Sequence, residues 1–167
     1  MTAKELINHW RFRVHRMQLA HYMTARKFDD RHLWLGLPAI ALSTIVGTTV
    51  FASISKNTEI IIQILVGLFS VTAALLTALQ TFLKYSELSE KHRVAGAKFA
   101  NLKHRIELLI TLVEPPPEEL KKQLTMIEDQ WAKVREESPN IPTRIWNKIE
   151  NSWTYKEHNL RYSDKDI

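Results

Sequence analysis

The 167-residue chain contains no cysteine and only four glycines. Without cysteine there is no disulfide framework, no thiolate nucleophile and no Cys-ligated metal, so thiol chemistry is excluded. Three of the glycines, Gly36, Gly47 and Gly67, fall inside apolar runs, and none belongs to a phosphate-cradling loop. With no HExxH motif and no nucleophile elbow, the chain reads as a non-enzyme with no cofactor. The most informative shortage is of charge. Leu33 to Ile54 and Ile60 to Leu83 carry no Asp, Glu, Lys, Arg or His, in a chain whose residues are 25% charged overall.

As helices these two runs reach about 33 Å and slightly more, against roughly 30 Å of bilayer hydrocarbon, so each is long enough to cross once. The mean hydropathy of −0.21 hides them by averaging two apolar segments with charged flanks. A charged segment of about 30 residues precedes the first run, which is not the layout of a signal peptide, so the first span is expected to be retained. Arg13, Arg16, Arg26, Lys27 and Arg31 precede the first span, and Lys84, Lys91, Arg93, Lys98 and Lys103 follow the second, while the loop offers only Lys56. Basic residues concentrate on the cytoplasmic side, so both termini are expected inside a cell membrane, with the lipid bilayer as the first partner. The net charge of +5 is accounted for in the same way, and no nucleic-acid partner is expected.

The fold class that follows is an all-α membrane protein, a two-transmembrane helical hairpin with long cytosolic extensions forming a coiled-coil-like bundle. Its parts are an N-terminal amphipathic helix (1–32), the first span (33–54), an external loop (55–59), the second span (60–83) and a cytosolic continuation helix (84–113). A return helix (118–137), a short amphipathic helix (142–158) and a tail (159–167) complete it. In the arm, Ala3, Ile7, Trp10, Val14, Met17, His21, Thr24 and Phe28 recur at alternating four and three, the period of a helix–helix seam. Thr2 with Glu5 fits a capping box at its start.

The rhythm returns through Tyr85, Leu88, His92, Ala95, Phe99, Leu102, Ile106, Leu109 and Val113, with no proline or other break, so the second span is expected to run straight on. Pro115, Pro116 and Pro117 end that helix, and Leu120, Leu124, Ile127, Trp131 and Val134 mark a partner that folds back on it. The last helix, with Ile145, Trp146, Ile149 and Trp153 on one face and Arg144, Lys148 and Lys156 elsewhere, has two open fates: an anionic membrane interface or the bundle.

The spans are polar without being charged. Ser43 with Gly47, and Gly67, Ser70, Ala74 and Ala78, form small-residue stripes suited to close helix packing in lipid. Thr44, Thr48, Gln63, Thr77 and Gln80 admit two readings, packing or the lining of a water-filled pore. Two helices enclose no channel, so a pore requires a homo-oligomer of roughly four or more copies. The absence of ionisable residues argues against a proton relay, a voltage sensor or an ion-coupled transporter.

Of the seven histidines, His9, His15 and His21 recur at six, which puts neighbours on different helical faces and argues against a metal site within the arm. His21 and His92 both occupy seam positions, about 18 and 14 Å from their respective spans. They are read either as buried, hydrogen-bonded histidines or as a pH- or ligand-sensitive contact, and rings more than roughly 10 Å apart would end the second reading.

The segments HYMTARKFDDRHLWLGLPAIALSTIVGTTVFASI (21–54) and GLFSVTAALLTALQTFLKYSELSEKHRVAGAKFANLKHRIE (67–107) resemble the SLATT family, the SMODS- and SLOG-associating two-transmembrane effector domain. The resemblance covers about residues 5–113 and not the last 50. It implies a membrane effector of bacterial conflict systems that breaches the inner membrane when a partner senses infection, together with a nucleotide-sensing or nucleotide-generating partner protein. The chain contains neither such module in recognisable form. A gated pore is therefore the leading expectation, and a membrane-anchored scaffold that recruits a partner through its cytosolic coils is the alternative.

Overall fold

The computed structural model describes residues 3–53, 59–111 and 116–152. Among them every element is helical: α1 (Ala3–Ser53), α2 (Ile60–Leu83), α3 (Tyr85–Thr111), α4 (Pro117–Glu137) and a final helix, α5, over 143–152. Thr2, Lys56, Val113, Pro115, Trp153, Lys156 and the tail lie outside the described residues. The helices fall into two compact units, one made of the chain up to Arg26 and from Ser89 onward, the other of Lys27–Leu88. Both α1 and α3 contribute to each.

In the first unit the seam residues are the ones that leave water. Ile7, Val14, Phe99, Leu102, Ile106, Leu109, Ile127 and Val134 form its core, with Trp10, Met17, Leu120, Leu124 and Trp131 packed against them. Removing large apolar side chains from water is worth about 1.5–3 kcal/mol each, which binds α1, α3 and α4 together. Pro116 caps α4 and Pro117 is its first residue, a position where the missing amide costs no helical hydrogen bond. Glu118 and Glu119 follow in the first turn, where the helix dipole favours negative charge. Lys98 Nζ donates to Glu137 Oε2 at 2.6 Å, tying α3 to α4, and this hydrogen bond holds the Glu137 carboxyl below its ordinary range. Of the two fates open to the last helix, the structure shows packing. Ile145 and Ile149 are buried with Ala20, and Leu19, Met23, Ile141 and Trp146 surround them.

The second unit reverses this pattern. Its buried positions are the small Gly36, Ala39 and Ala73, whereas Trp34, Phe51 and Phe82 are 80%, 78% and 82% exposed. Such a surface is unstable in water and ordinary in hydrocarbon. Both helices are long and apolar enough to cross a membrane. Pro38 stands inside α1 without ending it, although it supplies no amide to the Trp34 carbonyl one turn earlier.

The expectation of an unbroken helix from the second span to residue 113 is corrected at Lys84. This residue is left-handed (φ 46°, ψ 38°), ends α2, and accepts the Leu88 amide at 3.0 Å to start α3. A side chain in that conformation costs about 1–2 kcal/mol, and Leu83-Lys84-Tyr85 contains neither the glycine nor the asparagine that usually marks such a stop.

Two stability outcomes follow from this packing. Phe99→Ala, at a fully buried site, should lower unfolding free energy by about 3–5 kcal/mol, while Met126→Ala on the exposed face of α4 should change it by less than about 0.5 kcal/mol, read by thermal unfolding in mild detergent. Lys84→Gly relieves the left-handed strain and should raise the melting temperature, whereas Lys84→Val should lower it.

Candidate functional site

The most unusual packing in the first unit lies where α1 meets α3. The facing residues there are small, with Ala20, Ala25, Ala95 and Gly96 all buried. A Cβ added to Gly96 would stand 2.9 Å from the Tyr22 ring, so any larger residue there must displace that ring. Close backbones leave polar groups without water, and they find partners. Ser89 Oγ donates to the Ala25 carbonyl at 3.0 Å across the two helices, and Thr24 Oγ1 donates to the Ala20 carbonyl at 2.7 Å.

Between them the rings of His21 and His92 meet. They are 1% and 3% exposed, their Nδ1 atoms are 3.0 Å apart, and their centroids are 5.2 Å apart. His21 also stacks on Phe99 at 5.3 Å. A hydrogen bond between two Nδ1 atoms needs one protonated and one bare nitrogen, so two imidazolium rings would lose it and repel. Burial lowers the pKa of His21 to about 4, with the charge of His92 as a second cause, and burial lowers that of His92 too. The separation lies well inside the 10 Å that would have ended the regulatory reading.

Within the second unit, Ser43, Gly47, Ser70, Ala74, Thr77 and Ala78 line one open groove between α1 and α2, of roughly 860 Å³. A Cβ at Gly47 or Gly67 would meet nothing within 4 Å, so neither glycine serves a contact within one chain. The hydroxyls of Thr44, Thr48 and Thr77 donate to the carbonyls of Ile40, Thr44 and Ala73, one turn back, at 2.9, 3.0 and 2.9 Å. Such self-satisfied threonines tolerate lipid as well as water, so their presence does not by itself require a pore. Gln63 is exposed near the start of α2. Gln80 is turned inward, with Nε2 3.3 Å from the His32 ring and 2.9 Å from where a Cβ on Gly36 would be.

The contacts of Ser89, Gly96, Gly36 and His32 were not singled out as site features from the sequence, and the one available signal was their small or polar character beside apolar seam positions. Among the described residues no three His, Asp or Glu side chains gather as metal ligands.

These features define an all-helical class of chain, one unit packed through a water-excluding core and the other a hairpin of two helices long and apolar enough to cross a membrane. The chain belongs to the SMODS and SLOG-associating 2TM effector domain family 4, whose model matches residues 4–159. This match extends the expected range of 5–113 through α4 and α5, so the first unit is part of the family's domain and not an appendage. No curated protein and no solved structure matches the chain.

The buried histidines give stability a pH dependence with a definite sign. The folded state prefers them neutral, so the unfolded chain takes up protons first and stability falls as pH drops below about 6.5 toward 4. From pH 7 to pH 5 the loss through His21 alone should be on the order of 2 kcal/mol. A melting series on the parent and on His21→Gln/His92→Gln should show a steeper acid decline in the parent, and equal slopes would contradict this account.

Proposed function

We propose that the chain is an oligomeric, normally closed inner-membrane effector of a bacterial anti-phage defence system, crossing the membrane twice with both termini in the cytoplasm. A signal repacks its cytosolic helices and opens a pore that dissipates ion gradients. The observation that carries this reading is the open groove of Ser43, Gly47, Ser70, Ala74, Thr77 and Ala78 on an otherwise apolar hairpin. In lipid, helices associate through small residues that let backbones approach, and a groove unfilled within one chain offers that surface to a second copy. Roughly four or more hairpins are needed to enclose a channel, and uncharged hydroxyls suit a passive one. The activating partner is a nucleotide-sensing or nucleotide-generating protein, and its signal must favour the open state by binding it more tightly than the closed one.

The self-bonded threonines support a second reading, in which the hairpin anchors and oligomerises a scaffold for a cytosolic partner. Dye and ion flux from liposomes separates the two. With the genomic neighbour and candidate nucleotides supplied, the parent should release a small dye. Gly47→Leu should abolish release by blocking assembly, and Thr48→Leu should change ion flux several-fold while leaving cross-linked oligomers intact. Oligomers that never pass ions or dye under those conditions would leave the scaffold as the better account.

A further inference from the structure

The first unit carries a second concentration of unusual side chains, away from the histidines. Arg13 and Arg16 stand one turn apart on α1, and with Met17 they line a groove of about 230 Å³ closed by Trp131 and Arg135 of α4 and Trp146 of α5. A neighbouring concavity shares Arg13, Trp131 and Arg135 and ends at Trp10 and Glu128. The guanidinium of Arg13 lies 4.9 Å from the Trp131 ring centroid, and that of Arg16 lies 5.1 Å from the Trp146 ring centroid. A guanidinium laid on an indole keeps its in-plane N–H donors pointing outward, held in orientation but unspent.

The charges around the groove are poorly balanced. Among the described residues no carboxylate comes within 4 Å of Arg13 or Arg135, and Arg16 reaches only Glu150, at 3.7 Å. Arg16 Nε is buried with no hydrogen-bond acceptor among the described residues, a condition that costs about 1–3 kcal/mol. Surface arginines that serve stability alone are usually paired or dispersed. Three directed at one concave surface, two of them braced by tryptophan, make a receptor for an oxyanion with several acceptor oxygens.

We propose that this groove binds a phosphate-bearing ligand through its phosphoryl oxygens, held by the guanidinium groups of Arg13, Arg16 and Arg135. Its volume, below the roughly 300–1,000 Å³ of drug-sized pockets, suits a phosphoryl group with its immediate substituents. Bidentate donation by arginine matches phosphate geometry in a way that a lysine point charge does not. The same chemistry occurs on a soluble phosphorylated compound and on an anionic lipid headgroup. The site stands whether or not the hairpins conduct, so its test reads binding and not flux.

The full chain is titrated with pyrophosphate in maltoside detergent, following tryptophan fluorescence. In a second arm it is compared in phosphatidylcholine nanodiscs with and without phosphatidylglycerol. A saturable response to pyrophosphate assigns the groove to a soluble ligand, and a response confined to phosphatidylglycerol assigns it to a headgroup. Either supports the site if Arg13→Gln/Arg135→Gln weakens it at least tenfold while the melting temperature holds. Arg13→Lys/Arg135→Lys should recover only part of the loss, and Lys121→Gln, an exposed charge elsewhere on α4, should behave as the parent. Absence of any response in both arms, or an equal response in the Arg13→Gln/Arg135→Gln variant, overturns the proposal.

Discussion

The first unit depends on how near α3 is allowed to come to α1. Gly96 leaves room for the Tyr22 ring, and the buried Ala20, Ala25 and Ala95 keep the facing surfaces small. Polar groups buried on the shared face must find partners in protein. Ser89, Thr24, His21 and His92 do so, two of them through backbone carbonyls and two through each other. The neutrality of the histidines is thus a consequence of packing: small residues bring the helices together, and exclusion of water removes the medium that would stabilise charge.

The same covalent chain solves a different problem in the second unit. In water, large side chains go inside and small or charged ones outside, and Phe99 or Leu102 follow that rule. In Lys27–Leu88 the large side chains face out and Gly36, Ala39 and Ala73 face in. Hydrocarbon offers no reason to hide a leucine, so what holds such helices is close approach and hydrogen bonding, as between Gln80 and His32. That economy leaves Gly47 and the groove beside it unused by the single chain. A helix pair satisfied at one edge and open at the other is suited to assembly.

Much of this was legible in the sequence because it is periodic. The four-and-three spacing of Ile7, Val14, Met17, His21 and Thr24, and of Phe99, Leu102, Ile106 and Leu109, picked out residues that the structure packs or buries, and two histidines on seams at similar depth were found to meet. What escaped the sequence was local or composite. The stop at Lys84 has no residue signal, since lysine is a good helix former and its left-handed backbone is imposed by its surroundings. Gln80 read as a pore candidate because an amide in a span is conspicuous, but the space over Gly36 that receives it depends on the partner helix. The arginine and tryptophan groove joins α1 to α4 and α5, more than a hundred positions further along the chain, and in sequence Arg13 and Arg16 looked like ordinary flanking charge.

These energetics constrain what can act as a trigger. With a pKa near 4, His21 is charged in about one molecule in a thousand at pH 7, and forcing that charge would cost about 4 kcal/mol. Near neutral pH, protons alone therefore do not operate the histidine pair. In the proposed gating mechanism, driving a closed population of 99% to an open one of 99% requires about 5.5 kcal/mol of differential binding. Charge-assisted hydrogen bonds contribute about 1.5–3 kcal/mol each, so two or three made in one state and not the other reach that figure. If the proposed anion site in the groove makes such bonds, the His21–His92 contact is a constraint that any repacking of α1 against α3 must overcome.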